Sequence, residues 1–297
     1  MKLLERLGIK DAAGASAVTL HEYLSNRSAA LLLRGDPDRL EIGSAVAIQI
    51  GRYSLLATAA HNVKGLNPRQ IEVISAGRLN ASRLPVSRIG IHQLSEIEKV
   101  DVAWMELDIS ACDKPGISLV RLDQIGVLPS TCEPQACFVQ GYPAEVVVKP
   151  SSSAECPLVE SDGFLTLSIP SNRRRTPHRP HVDIAVEYPP HDGSLDSAGV
   201  PGPPGISGGG FWLFPRFENC LIWAPDGARL LGIARGWWRN EKEFLATRME
   251  RWLEMVAEDF PDIGTEVRDT KARLGESWSR ESVAGGKNGE DDKSRQH

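Results

Sequence analysis

The sequence predicts an all-β body closed by a C-terminal helix, and two observations carry that prediction. From about Gly43 the chain falls into short, β-leaning runs broken by Gly, Asn, Pro or charged residues, the rhythm of an antiparallel sandwich or barrel. Near residue 240 the apolar period changes from two to 3.6.

Five runs make up a first β-rich half: Ser44–Ile50, Tyr53–Ala59, Ile71–Ser75, Val86–Ile91 and Val100–Leu107. Gly51 and Arg52 form a tight link between the first two, consistent with a hairpin. Residues 113–133, with Asp113, Pro115, Gly116, Gly126 and Pro129, read as a connector. A second half follows with Gln135–Gln140, Glu145–Lys149, Phe164–Ile169, Val182–Glu187, Gly210–Phe214 and Leu230–Arg235, the last preceded by the turn Pro225-Asp-Gly227.

Asn240 to Glu243 reads as a helix cap. Phe244, Leu245, Met249, Trp252, Leu253, Val256 and Phe260 form one face, docked on the body, and Pro261 ends it. Residues 265–297 read as a polar tail, disordered from about 280. At the other end, residues 1–35 form an extension in which Thr19 to Glu22 caps a short helix before a buried strand at Ala29–Leu33. The resulting domain is expected over 36–264, with one barrel at about 36–112 and another at about 134–239.

Composition narrows the function classes. The 297 residues are 41% hydrophobic and 25% charged, enough apolar material for a real core in one or two domains. A net charge of −5 supplies no global reason to bind nucleic acid. No run of about 18 apolar residues occurs, and charges at Lys2, Glu5, Arg6, Lys10 and Asp11 argue against a secretory signal. Cys112, Cys132, Cys137, Cys156 and Cys220 have neither disulfide-framework nor metal-ligand spacing, so no metal or other cofactor and a reducing, cytoplasmic setting are expected.

Three motifs carry chemistry. Leu55 to His61 (LLATAAH) places a histidine at the end of an apolar strand. Val100 to Trp104 (VDVAW) places Asp101 at the start of another, where it can accept a hydrogen bond from the histidine's second nitrogen. Gly202 to Gly210 (GPPGISGGG) sets Ser207 among glycines, whose free φ lets consecutive N–H groups converge on a developing oxyanion. Each motif has an ordinary structural reading: a core histidine, a strand-start acid, a flexible loop.

Their order, His then Asp then Ser, with 40 and 106 residues between them, resembles the chymotrypsin/trypsin-like serine peptidases. TAAH matches that family's histidine motif and DVAW resembles its D-[IV]-A-[LV] motif. GISGGG matches G-x-S-G-G, Val139 to Pro143 (VQGYP) resembles the strand opening the second barrel, and Leu231 to Gly236 (LGIARG) resembles the cleft strand after the serine. The resemblance covers roughly residues 40–240, most like the short intracellular or bacterial members.

It implies two six-stranded antiparallel barrels and a serine endopeptidase acting on polypeptides through an acyl-enzyme. Ser207 would be the nucleophile, His61 the base and Asp101 its orienting acid. The N–H groups of Gly205 and Ser207 would form the oxyanion hole, and Pro201, Ala234, Arg235 and Gly236 would line the substrate site. With Pro201 at the pocket base, small or apolar side chains are expected there. Ile206 stands where relatives carry the aspartate that receives a newly cut N-terminus, so activity without N-terminal processing is expected.

The α/β-hydrolase elbow G-x-S-x-G also fits Gly205 to Gly209, but that class needs its histidine after the serine. Only His297 lies there. A peptidase-like binding or regulatory module, latent or answering to a protein partner, is the alternative reading. The basic stretch Arg173, Arg174, Arg175, His178, Arg179 and His181 reads as a solvated loop or as an exosite for an acidic partner.

Overall fold

A computed structural model describes residues 10–36, 39–75, 82–91, 100–109, 116–128, 133–146, 159–177, 179, 181–188, 202–215 and 224–285. Two curled antiparallel sheets dominate. The first contains β1 (Ser28–Asp36), β2 (Arg39–Ile50), β3 (Tyr53–Thr58), β4 (Ile71–Ser75), β5 (Ser82–Leu84), β6 (Val86–Ile91) and β7 (Ala103–Leu107), in the order β5-β4-β1-β2-β3-β7-β6. The second contains β8 (Ala136–Gly141), β9 (Asp162–Leu167), β10 (Asp183–Glu187), β11 (Gly210–Leu213), β12 (Arg229–Trp238) and β13 (Glu243–Arg248), in the order β10-β13-β12-β11-β8-β9. This is the chymotrypsin-like two-barrel fold, with seven strands in the first sheet where six were expected.

Both faces of the central strands are covered, which is why they read as continuous apolar runs. In β2, Ala45 and Ala47 point into the first barrel with Leu31, Leu56 and Val73. Val46, Ile48 and Ile50 point the other way, into a core shared with Phe138, Trp212, Leu230 and Ile233 of the second sheet. The second barrel has its own interior of Val139, Ile184, Val186, Phe211, Leu231 and Phe244. One parallel bridge at Ile48–Val120 and another at Ile125–Leu230 carry the connector across between the barrels.

Among the described residues there are four α-helices: α1 (Lys10–Ser25), the single turn α2 (Ala60–Val63), α3 (Met249–Asp259) and α4 (Gly264–Gly285). Met249, Trp252, Leu253 and Val256 of α3 are fully buried in the inter-barrel core, each worth about 2 kcal/mol of apolar burial before entropy is counted. Two indoles anchor it: Trp252 Nε1 donates to the Ala103 carbonyl (3.0 Å) and Trp104 Nε1 to Asp259 Oδ2 (2.6 Å). Among the described residues no helix is long and apolar enough to cross a membrane.

Several boundaries differ from the sequence expectation. The helix expected from Asn240 starts only at Met249, and Phe244 and Leu245 belong to β13. Pairing with β10 and β12, in a strand buried on both faces, outweighs the helical spacing they share with later residues. Thr19 lies in the body of α1, nine residues beyond its described start, and so is not its N-cap. The expected 1–35 extension contributes β1, which sits between β2 and β4 as a full member of the first sheet. The expected strand at Glu145–Lys149 is a 3-10 turn at Ala144–Val146, and 147–149 lie outside the described residues. The polar tail expected from 265 is helical to Gly285, held by Ile263, Val267 and Leu274 in the shared core.

Trp252→Ala is expected to lower stability by about 3–5 kcal/mol, because a fully buried indole leaves a cavity and an orphaned Ala103 carbonyl. Chemical denaturation of the variant against the parent chain measures it.

Candidate active site

His61 is placed by a strand that stops. β3 ends at Thr58, Ala59 remains extended, and Ala60–Val63 then make one helical turn. Asp101 precedes the buried Val102 at the entry to β7, the strand paired with β3, so the two side chains meet at one end of one ladder. Asp101 holds the histidine twice. Its Oδ1 accepts the His61 backbone N–H (2.9 Å), and its Oδ2 accepts ring Nδ1–H (2.6 Å). A carboxylate can only accept here, so Nδ1 carries the proton and Nε2 keeps its lone pair.

The hydrogen bond that His61 donates to Asp101 raises the His61 pKa above its ordinary 6.5, partial burial opposing it. Burial pushes the Asp101 carboxyl up, but the hydrogen bonds from His61 and the positive charge of Arg235 outweigh it and leave the group below the usual range.

The turn around Ser207 is built from four peptide units whose carbonyls are all tied back. Pro204 O accepts from Ala144 N (2.8 Å), Gly205 O from Ser44 Oγ (2.6 Å), Ile206 O from Gly209 N (2.8 Å) and Ser207 O from Ser44 N (2.8 Å). In a trans peptide the N–H points opposite to the carbonyl. The N–H groups of Gly205 and Ser207 are therefore turned away from these anchors, and among the described residues neither has a partner. Ile206 N and Gly208 N, by contrast, are bonded to Pro203 O (3.1 Å) and Ala234 O (2.7 Å). Gly205 and Gly208 have φ of +91° and +89°, which L side chains rarely adopt.

A buried polar chain joins this turn to the histidine. Thr58 Oγ1 donates to Ser44 O (2.7 Å), and Asn62 Nδ2 donates to Thr58 Oγ1 (3.1 Å) and to Ser207 O (2.8 Å). Room is tight: a Cβ on Gly43 would lie 2.7 Å from Asn62 Nδ2, and one on Gly208 would lie 1.9 Å from Ser44 O. Ser207 is thus bonded through its backbone to the residue after His61, while its hydroxyl and the His61 ring are not hydrogen-bonded to each other.

Of the remaining predicted residues, Ala234 exchanges hydrogen bonds with the turn, its N–H donating to Gly209 O (2.8 Å) and its carbonyl accepting from Gly208 N. The β12–β13 register slips between Ala234 and Gly236, which leaves Arg235 without a ladder partner. The Arg235 guanidinium is turned toward the second barrel's own residues. It runs to the buried Asp183 (Nη2 to Oδ1, 3.0 Å) and lies beside the Trp238 ring. Pro201 lies outside the described residues. Ile206 is buried among Ile184, Phe211 and Phe244, an apolar anchor for the turn.

Ser44, Asn62 and Glu145, whose carboxylate accepts Gly202 N (2.7 Å), escaped sequence reasoning. Asn62 had one available signal, its place directly after His61.

The basic stretch is a strap more than a solvated loop. Buried Glu243 accepts Arg175 N (2.8 Å), Thr176 N (3.1 Å) and the Thr176 hydroxyl (2.5 Å). Asp183 accepts Arg179 N (3.0 Å), and Arg174 donates to the carbonyls of Ile169 (3.0 Å) and Asp183 (3.2 Å). Burial, reinforced by Arg248, pushes the Arg174 guanidinium down to about 10. Arg173 and Arg175 remain exposed, and His178 lies outside the described residues.

No family model and no curated protein matches the chain. Among solved structures it is similar to human heparin binding protein, 12% identical, with 78% of this chain and 92% of that one covered at a TM-score of 0.49. An atomic-resolution structure of HBP is 13% identical, with 78% and 91% covered at a TM-score of 0.50. At this identity the likeness concerns the fold.

Glu243→Gln is expected to loosen the strap, since a neutral amide accepts fewer and weaker bonds than the carboxylate now shared by three donors. Limited proteolysis by added trypsin should cut at Arg173 and Arg175 several times faster than in the parent chain; an unchanged rate would show that the strap is held elsewhere.

Proposed function

We propose that the chain is a serine endopeptidase that hydrolyses peptide bonds through an acyl-enzyme. The observation that carries this reading is the pair of unpartnered N–H groups at Gly205 and Ser207, on a turn whose carbonyls are all anchored. Backbone N–H groups rarely go without a partner in a protein interior, and such a pair at a serine matches what a tetrahedral oxyanion requires.

In this reading the Ser207 hydroxyl attacks the substrate carbonyl and gives its proton to His61 Nε2. Asp101 keeps the proton on Nδ1 and stabilises the imidazolium. Gly205 N–H and Ser207 N–H receive the oxyanion, each worth about 3 kcal/mol in the transition state. His61 then returns the proton to the leaving amine, and water repeats the sequence on the ester. The distance now left between the hydroxyl and the ring closes when substrate is seated, as such contacts do.

The apolar seat of Ile206 supports activity without N-terminal cutting, because no buried carboxylate there waits for an ammonium. Pro201, at the expected base of the specificity pocket, brings no carboxylate there, which suits a small or apolar side chain at the cleaved position. A reducing compartment suits the buried free thiol of Cys137. The unbonded Ser207 hydroxyl favours a second reading, a latent or regulatory module that binds a peptide or protein partner with little turnover.

Labelling with a fluorophosphonate probe separates the two. The full-length chain is expected to label at Ser207 without trimming, and Ser207→Ala and His61→Ala to abolish labelling. Absence of labelling in the full-length chain under all conditions favours the module. Labelling requires a neutral imidazole, so its rate should fall as pH falls, with a midpoint above 6.5 because Asp101 raises the His61 pKa. A midpoint at or below 6.5 would contradict the His61–Asp101 hydrogen bond as the dominant influence.

A further inference from the structure

We propose that Ser44 and Asn62, both from the first barrel, are positioning residues that hold the Ser207 turn of the second barrel in its attacking geometry. The inference rests on the hydrolase reading above and adds to it the parts that set the nucleophile in place. Ser44 is fully buried on β2 and uses every polar group it has. Its N–H binds Ser207 O, its hydroxyl donates to Gly205 O and accepts Tyr142 N–H (2.7 Å), and its carbonyl accepts Thr58 Oγ1. One residue thus orients two of the four peptide units in the turn and ties the Tyr142 strand end to them.

Asn62 does the complementary work. Its amide shares the Ser207 carbonyl with Ser44 N–H and reaches back to Thr58, while its backbone belongs to the helical turn that carries His61. The base and the nucleophile are therefore tied to one another through Asn62, which follows His61 in the chain and holds the Ser207 carbonyl. Ser44 is fully buried and Asn62 8% exposed, so both act through the turn.

Two consequences distinguish this role from ordinary packing. Removing the Ser44 hydroxyl frees the Gly205 carbonyl, letting the adjoining peptide units rotate and misaligning the N–H of Gly205. Removing the Asn62 amide leaves the fold's apolar cores untouched and alters only the spacing between turn and histidine.

The test uses full-length Ser44→Ala and Asn62→Asp, the latter keeping the shape of the side chain while losing the donor. Fluorophosphonate labelling is followed between pH 6 and 9 at a temperature where circular dichroism shows the variants folded. Labelling should slow by at least about tenfold in each, with the pH midpoint of Ser44→Ala unmoved because the His61–Asp101 pair is intact. Labelling within twofold of the parent in both variants overturns the proposal. Amide hydrogen exchange by NMR supplies a readout that does not need catalysis. The Tyr142 amide in Ser44→Ala should exchange at least about tenfold faster, and unchanged exchange also overturns it. If the parent chain itself never labels, the hydrolase reading falls, and exchange alone decides whether the clamp exists. Should Ser44→Ala not fold, Asn62→Asp carries the labelling test.

Discussion

The planarity of four consecutive peptide units, Pro204 to Ser207, governs the functional end of this molecule. Once each carbonyl is bonded to a neighbour, the direction of each N–H is no longer free. Two of the four N–H groups then find partners and two do not. The partners that impose this come from both barrels: Ser44 from the first, Ala144 and Gly209 from the second. The two-barrel arrangement matters here because the turn is held from opposite sides, and neither barrel alone supplies enough bonds to orient it.

Close approach is the second requirement. The Ser207 turn comes so near β2 and β3 that a side-chain carbon at Gly208 would overlap the Ser44 carbonyl and the Thr58 hydroxyl. On the facing side, Gly43 leaves the space that the Asn62 amide fills. The apolar packing around this polar centre makes the approach rigid. Val46, Ile48, Trp212 and Ile233 fill the core between the sheets, and α3 closes it with Trp252 and Leu253. Water is kept from the polar chain running through Ser44, Thr58 and Asn62, so each of its bonds counts for more than it would at the surface.

Much of this was legible. Ile71–Ser75 and Val86–Ile91 coincide with strands, and β2, β3, β8, β11 and β12 differ from their expected runs by a few residues at most ends, because short apolar runs between turn residues leave little else to do. His61 and Asp101 stand at the ends of paired strands, where their motifs put them. What misled were places where local pattern and tertiary packing disagree. Phe244 and Leu245 share the spacing of the α3 stripe, yet sheet pairing with β10 and β12 claims them. Glu243 looked like a cap residue and is instead the buried carboxylate that pins the basic strap.

The sequence by itself determined the fold class, the two barrels and the three residues of the candidate site, since apolar periodicity and motif order are local or linear properties of the chain. Only the tertiary structure decided which N–H groups go unpartnered at Ser207, that Ser44 and Asn62 hold the turn, and that Arg174 and the backbone at Arg175 and Arg179 are tied down. The decisive bonds among them join residues far apart in the chain, 68 positions for Arg175 and Glu243 and 161 for Ser44 and Gly205. A hydrogen bond over such a separation leaves no period or spacing in the chain, because either partner alone is an ordinary serine, asparagine or glutamate until the fold brings the other to it.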